Sequence, residues 1–124
     1  MLGSTLAVAQ PQPVRVIVIS VDGLRPDAIT AERTPTMFEM REEGARAELA
    51  VNDAPSMTLP NHATILTGLT SDHHGINFNF EVPGEIGVPT LLDYAHDAGY
   101  RCAFFATKTK LKYLAHQEKL DDFF

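Results

Sequence analysis

Residues 14–21 read VRVIVISV, a run in which six of the eight side chains are β-branched, and the run stops at Asp22-Gly23. A continuous apolar stretch of this length, closed by turn residues, suits a strand buried on both faces of a parallel sheet. Such a strand needs neighbours on each edge and helices on each face. The run therefore predicts an α/β domain with a mainly parallel sheet sandwiched between helices.

The rest of the chain follows that alternation. Thr34-Pro35 supplies an N-cap and a proline at the first helical position; Met37, Phe38 and Met40 give an apolar face, and Gly44 a stop. Residues 45–52 alternate loosely as a strand would. Pro60 opens a second helix that Gly68 closes. Residues 88–100, VPTLLDYAHDAGY, read as a third helix with Thr90 as its cap and Gly99 as its end. RCAFFA at 101–106 reads as a short strand, and KLKYLAHQ begins another helix. Neither an internal repeat nor a low-complexity tract interrupts the pattern.

Composition narrows the function classes. The 124 residues carry 10 Lys plus Arg against 16 Asp plus Glu, a net charge of −6. Binding to a nucleic-acid duplex requires a basic face that displaces counterions, and the longest basic stretch here is the short KTKLK at 108–112. Cys102 is the only cysteine, which excludes an intrachain disulfide and a cysteine-based zinc site. No run reaches transmembrane length. At the N-terminus, Ala7 and Ala9 in MLGSTLAVAQPQP resemble the end of an export signal, although the basic segment and a full apolar segment are missing. Residues 1–13 are thus an export-signal remnant or an unstructured N-terminus, and the former implies a secreted or periplasmic protein.

Three residues stand where an α/β sheet places its chemistry. Asp22 follows the first strand, at the carboxyl edge where open sheets bind ligands; it is either a turn residue or a metal ligand. Thr58, in SMTLPNHATILTG, stands before a helix N-terminus, whose N–H groups and dipole favour a phosphate or sulfate group. On local grounds Thr58 or Ser56 is a helix cap as readily as a nucleophile. A threonine hydroxyl also needs activation, which a metal held by Asp22 supplies. Asn79, in GINFN, is placed to donate a hydrogen bond to a substrate oxygen as charge develops.

Four separated motifs in order, VIVISVDGLRPD, TPTM, APSMTLPNHATILTGL and HHGINFN, resemble the N-terminal part of the type I phosphodiesterase/nucleotide pyrophosphatase family of the alkaline phosphatase superfamily. The likeness runs from about Val14 to Asn79 and more weakly to about Leu114. It implies an alkaline phosphatase-like fold, a small-molecule phosphodiester or nucleotide substrate, and two zinc ions. Carried over residue by residue, it implies that Asp22 is a zinc ligand, Thr58 the metal-activated nucleophile and Asn79 a contact to the phosphoryl oxygen.

The family's remaining Asp and His ligands lie downstream of position 124. Residues 14–124 are accordingly expected to be the N-terminal portion of a catalytic domain, truncated and inactive alone. The five histidines do not supply the missing set: His62 sits in a helix turn, His73 and His74 in a motif that looks structural, His96 on a helix flank and His116 near the end. Two alternatives accompany the diesterase expectation: a phosphomonoesterase or phosphonate hydrolase of the same superfamily, and a non-catalytic α/β module.

Overall fold

The computed structural model describes residues 14–124, so the export-signal pattern at 1–13 lies outside the described residues. The chain divides into two compact units, Met1–Glu43 and Gly44–Phe124.

In the first unit the apolar run at 14–21 forms no strand, and its large side chains are 50–81% exposed. This departs from the buried strand that the sequence predicts. A strand is a pairing, and β-branched side chains favour the strand backbone without supplying the second row of N–H and C=O groups. The run ends in a turn closed by Leu24 N–H donating to the Val21 carbonyl at 3.2 Å, with Gly23 at φ 77°. A 3₁₀ turn, Pro26–Ala28, follows. Helix α1 spans Pro35–Glu43, as predicted from Thr34-Pro35 and Gly44. The Thr34 carbonyl accepts the Phe38 N–H at 2.9 Å, while the Thr34 hydroxyl accepts the Thr30 N–H at 3.2 Å. The Arg41 guanidinium lies 4.8 Å from the Phe38 ring centre and donates to the Ile29 carbonyl, which ties α1 to the segment before it.

The second unit holds the core. Residues 45–52 form no strand and are almost wholly exposed, so the loose alternation there has no structural counterpart. Helix α2, Thr58–Thr67, begins two residues before Pro60 and ends where expected, at Gly68 in the left-handed conformation (φ 70°). A short helix α3, Ser71–His74, carries His73 and His74. Helix α4 is Leu91–Asp97, with Thr90 at its N-cap as predicted. Strand β1, Ala103–Phe104, pairs in parallel with β2, Asp122–Phe123, in the register Ala103 to Asp122 and Phe104 to Phe123. These two are the only strands among the described residues, so the mainly parallel sheet appears as one parallel pair. Between them lie 3₁₀ helices Thr109–Leu114 and Gln117–Lys119 where an α-helix was expected.

Leu59 and Ala63 of α2, Ile76, Ile86, and Leu111 and Leu114 of the 3₁₀ helix form the buried cluster. Phe78, Val88, Phe104 and Tyr113 pack around it. Full burial of a leucine removes about 1.5–3 kcal/mol worth of apolar surface from water. Truncating one leaves a cavity as well. Leu114→Ala is expected to cost about 2–5 kcal/mol, read as a lowered urea midpoint by circular dichroism. A loss below about 1 kcal/mol would mean that this cluster is not the core of the unit.

Candidate active site

The second unit fixes the start of α2 from both sides. On the incoming side, the Asn61 carboxamide donates to the carbonyls of Pro55 at 3.1 Å and Met57 at 3.0 Å, drawing the segment before Thr58 onto the helix. The Asp53 carboxylate accepts the Ser71 N–H at 2.6 Å and the Ser71 hydroxyl donates to the Ala54 carbonyl at 2.8 Å, which anchors the same segment to α3. Hydrogen bonds from the backbone and side chain of Ser71 hold the Asp53 carboxyl below its usual range.

On the other side stands Asn79. Its Oδ1 accepts the Leu59 N–H at 3.0 Å and the Lys110 ammonium at 2.8 Å, and Lys110 also donates to the Asn79 carbonyl at 3.2 Å. Both partners of Oδ1 are donors, so the orientation of the amide is settled: the oxygen faces Leu59 and Lys110, and the tip that remains is the NH2 group.

The N-cap of α2 is neither Thr58 nor Ser56. Thr58 occupies the first helical position of α2, the N-cap is Met57, and Met57 makes no capping hydrogen bond through its side chain. Ser56 accepts a hydrogen bond from the Asn52 amide at 3.3 Å. An orphan N–H of the first turn, that of Leu59, is satisfied instead by Asn79, twenty positions further on. Capping is thus delivered from a distant loop. The sequence signal for a local cap, a hydroxyl residue before Pro60, did not identify the residue that performs it.

Thr58 and Asn79 are therefore brought to the same helix end, with Lys110 beside them. Sequence reasoning missed Lys110, which reads in KTKLK as one member of a solvated basic stretch. Asp22 lies in the first unit, at the turn after the apolar run. No group of three or more His, Cys, Asp or Glu side chains gathers among the described residues in a way that could hold a metal ion.

The histidines near α2 are structural. His74 is buried; its Nδ1 accepts the Ile76 N–H at 3.1 Å, which requires the neutral ring with the proton on Nε2, and Nε2 lies 3.1 Å from the Thr64 hydroxyl. Burial pushes its pKa down, against the opposing charge of Asp53. His62 Nδ1 lies 2.7 Å from the Thr58 carbonyl, and because a carbonyl only accepts, the proton is on Nδ1.

A profile for type I phosphodiesterase / nucleotide pyrophosphatase matches residues 16–84, more than half of the 124-residue chain. The chain belongs to that family. Membership implies an alkaline phosphatase-like α/β fold. Relatives include an uncharacterized pyrophosphatase/phosphodiesterase of Schizosaccharomyces pombe, 42% identical over 85 residues, which cover 66% of this chain and 18% of that protein. A bis(5'-adenosyl)-triphosphatase of Xenopus laevis is 37% identical over 65 residues, 52% of this chain and 14% of that one. The human ectonucleotide pyrophosphatase/phosphodiesterase family member 5 is 34% identical over 76 residues, 61% and 16% respectively. The chain thus spans less than a fifth of the length of these relatives. No solved structure matches it significantly.

Removing the distant cap should lower stability. Asn79→Ala is expected to cost about 1 kcal/mol, as loss of an N-cap does, whereas Asn79→Asp keeps an acceptor for Leu59 and Lys110 and should retain most of it. Urea unfolding of the three proteins checks this. Equal losses in both variants would show that the Leu59 N–H does not depend on Asn79.

Proposed function

We propose that this chain is the nucleophile-bearing portion of a hydrolase of phosphodiester or pyrophosphate bonds, with Thr58 as the attacking group. What supports the reading above all is the shared position of Thr58, the Asn79 carboxamide and the Lys110 ammonium at the N-terminal end of α2. In this mechanism the Thr58 oxygen attacks phosphorus in line with the bond to the leaving group. That bond breaks, a phosphothreonine ester at position 58 forms, and the proton given up by the Thr58 hydroxyl balances the charge of the departing leaving group. Water then attacks the same phosphorus, releasing phosphate ester or phosphate and restoring the hydroxyl. The Asn79 NH2 group donates to the phosphoryl oxygen as negative charge accumulates, and the N-terminal end of the α2 dipole favours the same charge.

The family is generally metal-dependent, and Asp22 is proposed as a zinc ligand together with Thr58. Zinc takes four ligands in a structural site and three protein ligands plus water in a catalytic one. One carboxylate and one hydroxyl do not make that set, and no further cluster exists among the described residues. The residues present therefore do not by themselves fit a zinc pair. Residues 14–124 are proposed to be the N-terminal part of an alkaline phosphatase-like catalytic domain whose other ligands lie elsewhere in the protein. The exposed run at 14–21 agrees with this, since its six large apolar side chains ask for partners. On this proposal the chain expressed alone associates as its concentration rises in sedimentation experiments; a monodisperse, cooperatively unfolding monomer would show that it is sufficient as a domain. The substrate is proposed to be a small-molecule phosphodiester or nucleotide, and the site to be secreted or periplasmic. Among the described residues no helix is long and apolar enough to cross a membrane.

A second reading within the superfamily has one observation in its favour. The Lys110 ammonium, 2.8 Å from Asn79 Oδ1, suits a phosphomonoester or phosphonate, which carries more negative charge than a diester. Comparing an aryl diester with an aryl monoester separates the two, and Lys110→Met should depress the monoester rate more than the diester rate if the second reading holds.

The deciding experiment uses the chain and a version extended to contain downstream Asp and His residues. The chain alone should hydrolyse an activated aryl diester no faster than a zinc-containing buffer blank. The extended protein should be active with zinc and silent with a chelator. In it, Thr58→Ala should lose activity by orders of magnitude, and Asn79→Ala about 10²–10³-fold, the usual effect of deleting one transition-state donor. Asn79→Asp should lose activity while keeping stability. Near-full turnover in Thr58→Ala would overturn the nucleophile assignment.

A further inference from the structure

His116 joins the 3₁₀ helix Thr109–Leu114 to the turn Gln117–Lys119, and both of its ring nitrogens face acceptors. Nδ1 lies 2.9 and 3.0 Å from the two carboxylate oxygens of Asp93, and Nε2 lies 2.7 Å from the Ile86 carbonyl oxygen. A carbonyl cannot donate. Nor is Asp93 a donor here: its Oδ2 already accepts the Thr90 N–H at 2.5 Å and the Thr90 hydroxyl at 2.9 Å. A neutral imidazole carries one N–H, so it would satisfy one side and turn a lone pair toward an oxygen on the other. Only the imidazolium donates to both.

The bracket is also a mechanical junction. Asp93 belongs to α4, Ile86 to the buried cluster, and the Ile86 N–H donates to the Tyr113 carbonyl at 2.7 Å, so the end of the 3₁₀ helix is held twice at one residue. The charged groups facing His116 are Asp93 from α4, Glu85, whose carboxylate accepts the Gln117 N–H at 3.2 Å, and Glu118 and Lys119 from the following turn. Lys119 is engaged with Asp97 of α4 at 2.5 Å. A cleft of about 440 Å³ runs along Asp93, Tyr94, Asp97, His116 and Lys119 and gives water a route to the ring.

We propose that His116 is a proton-gated clasp: protonated, it locks the 3₁₀ helix Thr109–Leu114 to α4 and the Ile86 segment, and on losing its proton it releases that helix. Lys110, which holds Asn79, rides on the same helix, so the clasp also governs how firmly the start of α2 is braced. The proposal does not rest on the hydrolase reading.

The direction of the pH dependence follows from the two partners. Burial disfavours the charged His116 ring, but its hydrogen bonds to Asp93 and Ile86 and the charges of Asp93 and Glu85 outweigh this, and its pKa stands above the ordinary 6.5. The clasp's contribution is therefore complete below 6.5 and is lost as pH rises through the raised value. Burial likewise pushes Asp93 up, but the bonds from Thr90 and His116 bring it below 3.8, so the acid limit lies at the depressed carboxyl value.

Nitrogen-15 NMR of the His116 ring in the full chain, across roughly pH 5 to 9 where histidines titrate, tests this directly. The ring should be doubly protonated with a midpoint above 6.5. Protection of the Leu111 and Ala115 amides, corrected for intrinsic exchange, should fall as pH rises from 6.5 to that midpoint, in total about tenfold for each unit by which the pKa is raised. Asp93→Asn should move the midpoint back toward 6.5, and His116→Gln should abolish the pH dependence of protection. A wild-type midpoint at or below 6.5 would overturn the proposal. So would amide protection that stays flat while the ring titrates. Both are read on the unaltered chain, so they decide the matter even if a variant fails to fold.

Discussion

The hydrogen bond from the Leu59 N–H to Asn79 Oδ1, at 3.0 Å, joins the polar and apolar halves of the second unit. Leu59 is fully buried and leads the core cluster, while the residue before it, Thr58, opens the helix. A helix end left without partners exposes donors that burial makes expensive. Here the partner comes from the loop after α3, and the Lys110 ammonium holds that partner in turn. The 3₁₀ helix that carries Lys110 also places Leu111 and Leu114 against Leu59 and Ala63. The same two segments are thus joined at the rim by charge-assisted hydrogen bonds and beneath it by apolar packing. Neither contact is local in sequence, and each sets the geometry that the other needs.

Legibility in the sequence divides along that line. Elements governed by neighbours within a few residues were readable: α1 from Thr34-Pro35 to its glycine, the end of α2 at Gly68, the start of α4 at Thr90. Thr58 and Asn79 were readable as candidates because motifs mark them. What bound them together was not, since the Lys110 to Asn79 contact spans thirty-one positions and the lysine looks like any solvated cation in KTKLK. The expected α-helix at KLKYLAHQ appears as a 3₁₀ helix, because the segment is fastened at both ends, by Lys110 to Asn79 and by His116 to Asp93 and Ile86. Tertiary bonds of this kind outweigh local propensity, which amounts to a few tenths of a kcal/mol per residue.

His74 and His116 show how environment alone assigns opposite states to one residue type. The first is buried with a backbone N–H aimed at Nδ1, which favours the neutral ring; the second sits between two acceptors, which favours the charged one. Their effects on stability run in opposite directions. A histidine held neutral stabilises above its unfolded pKa and fails as pH falls, whereas one held charged fails as pH rises. Together they bound the chain's stability from both sides of neutrality. Both had looked like unremarkable polar residues, because ring state depends on donors and acceptors that sequence does not display.

The run at 14–21 poses the converse case, a feature plain in sequence and unrealised in structure. Alternation would have said that one face is wet. Continuity says that neither face is, and so it specifies helices above and below and strands at both edges. Those are conditions on other segments, and no choice of side chain within the run can meet them. The second unit illustrates the same rule on a small scale: β1 becomes a strand because β2 pairs with it, with the Phe124 N–H donating to the Phe104 carbonyl at 3.0 Å and the Phe104 and Phe123 rings stacked 6.1 Å apart. The two residues of β1 make a strand because they are paired in register, whereas residues 14–21 form none. The strength of the apolar signal in VRVIVISV is therefore a measure of what must be packed against it, and it places the demand for further sheet in the unit that carries Asp22.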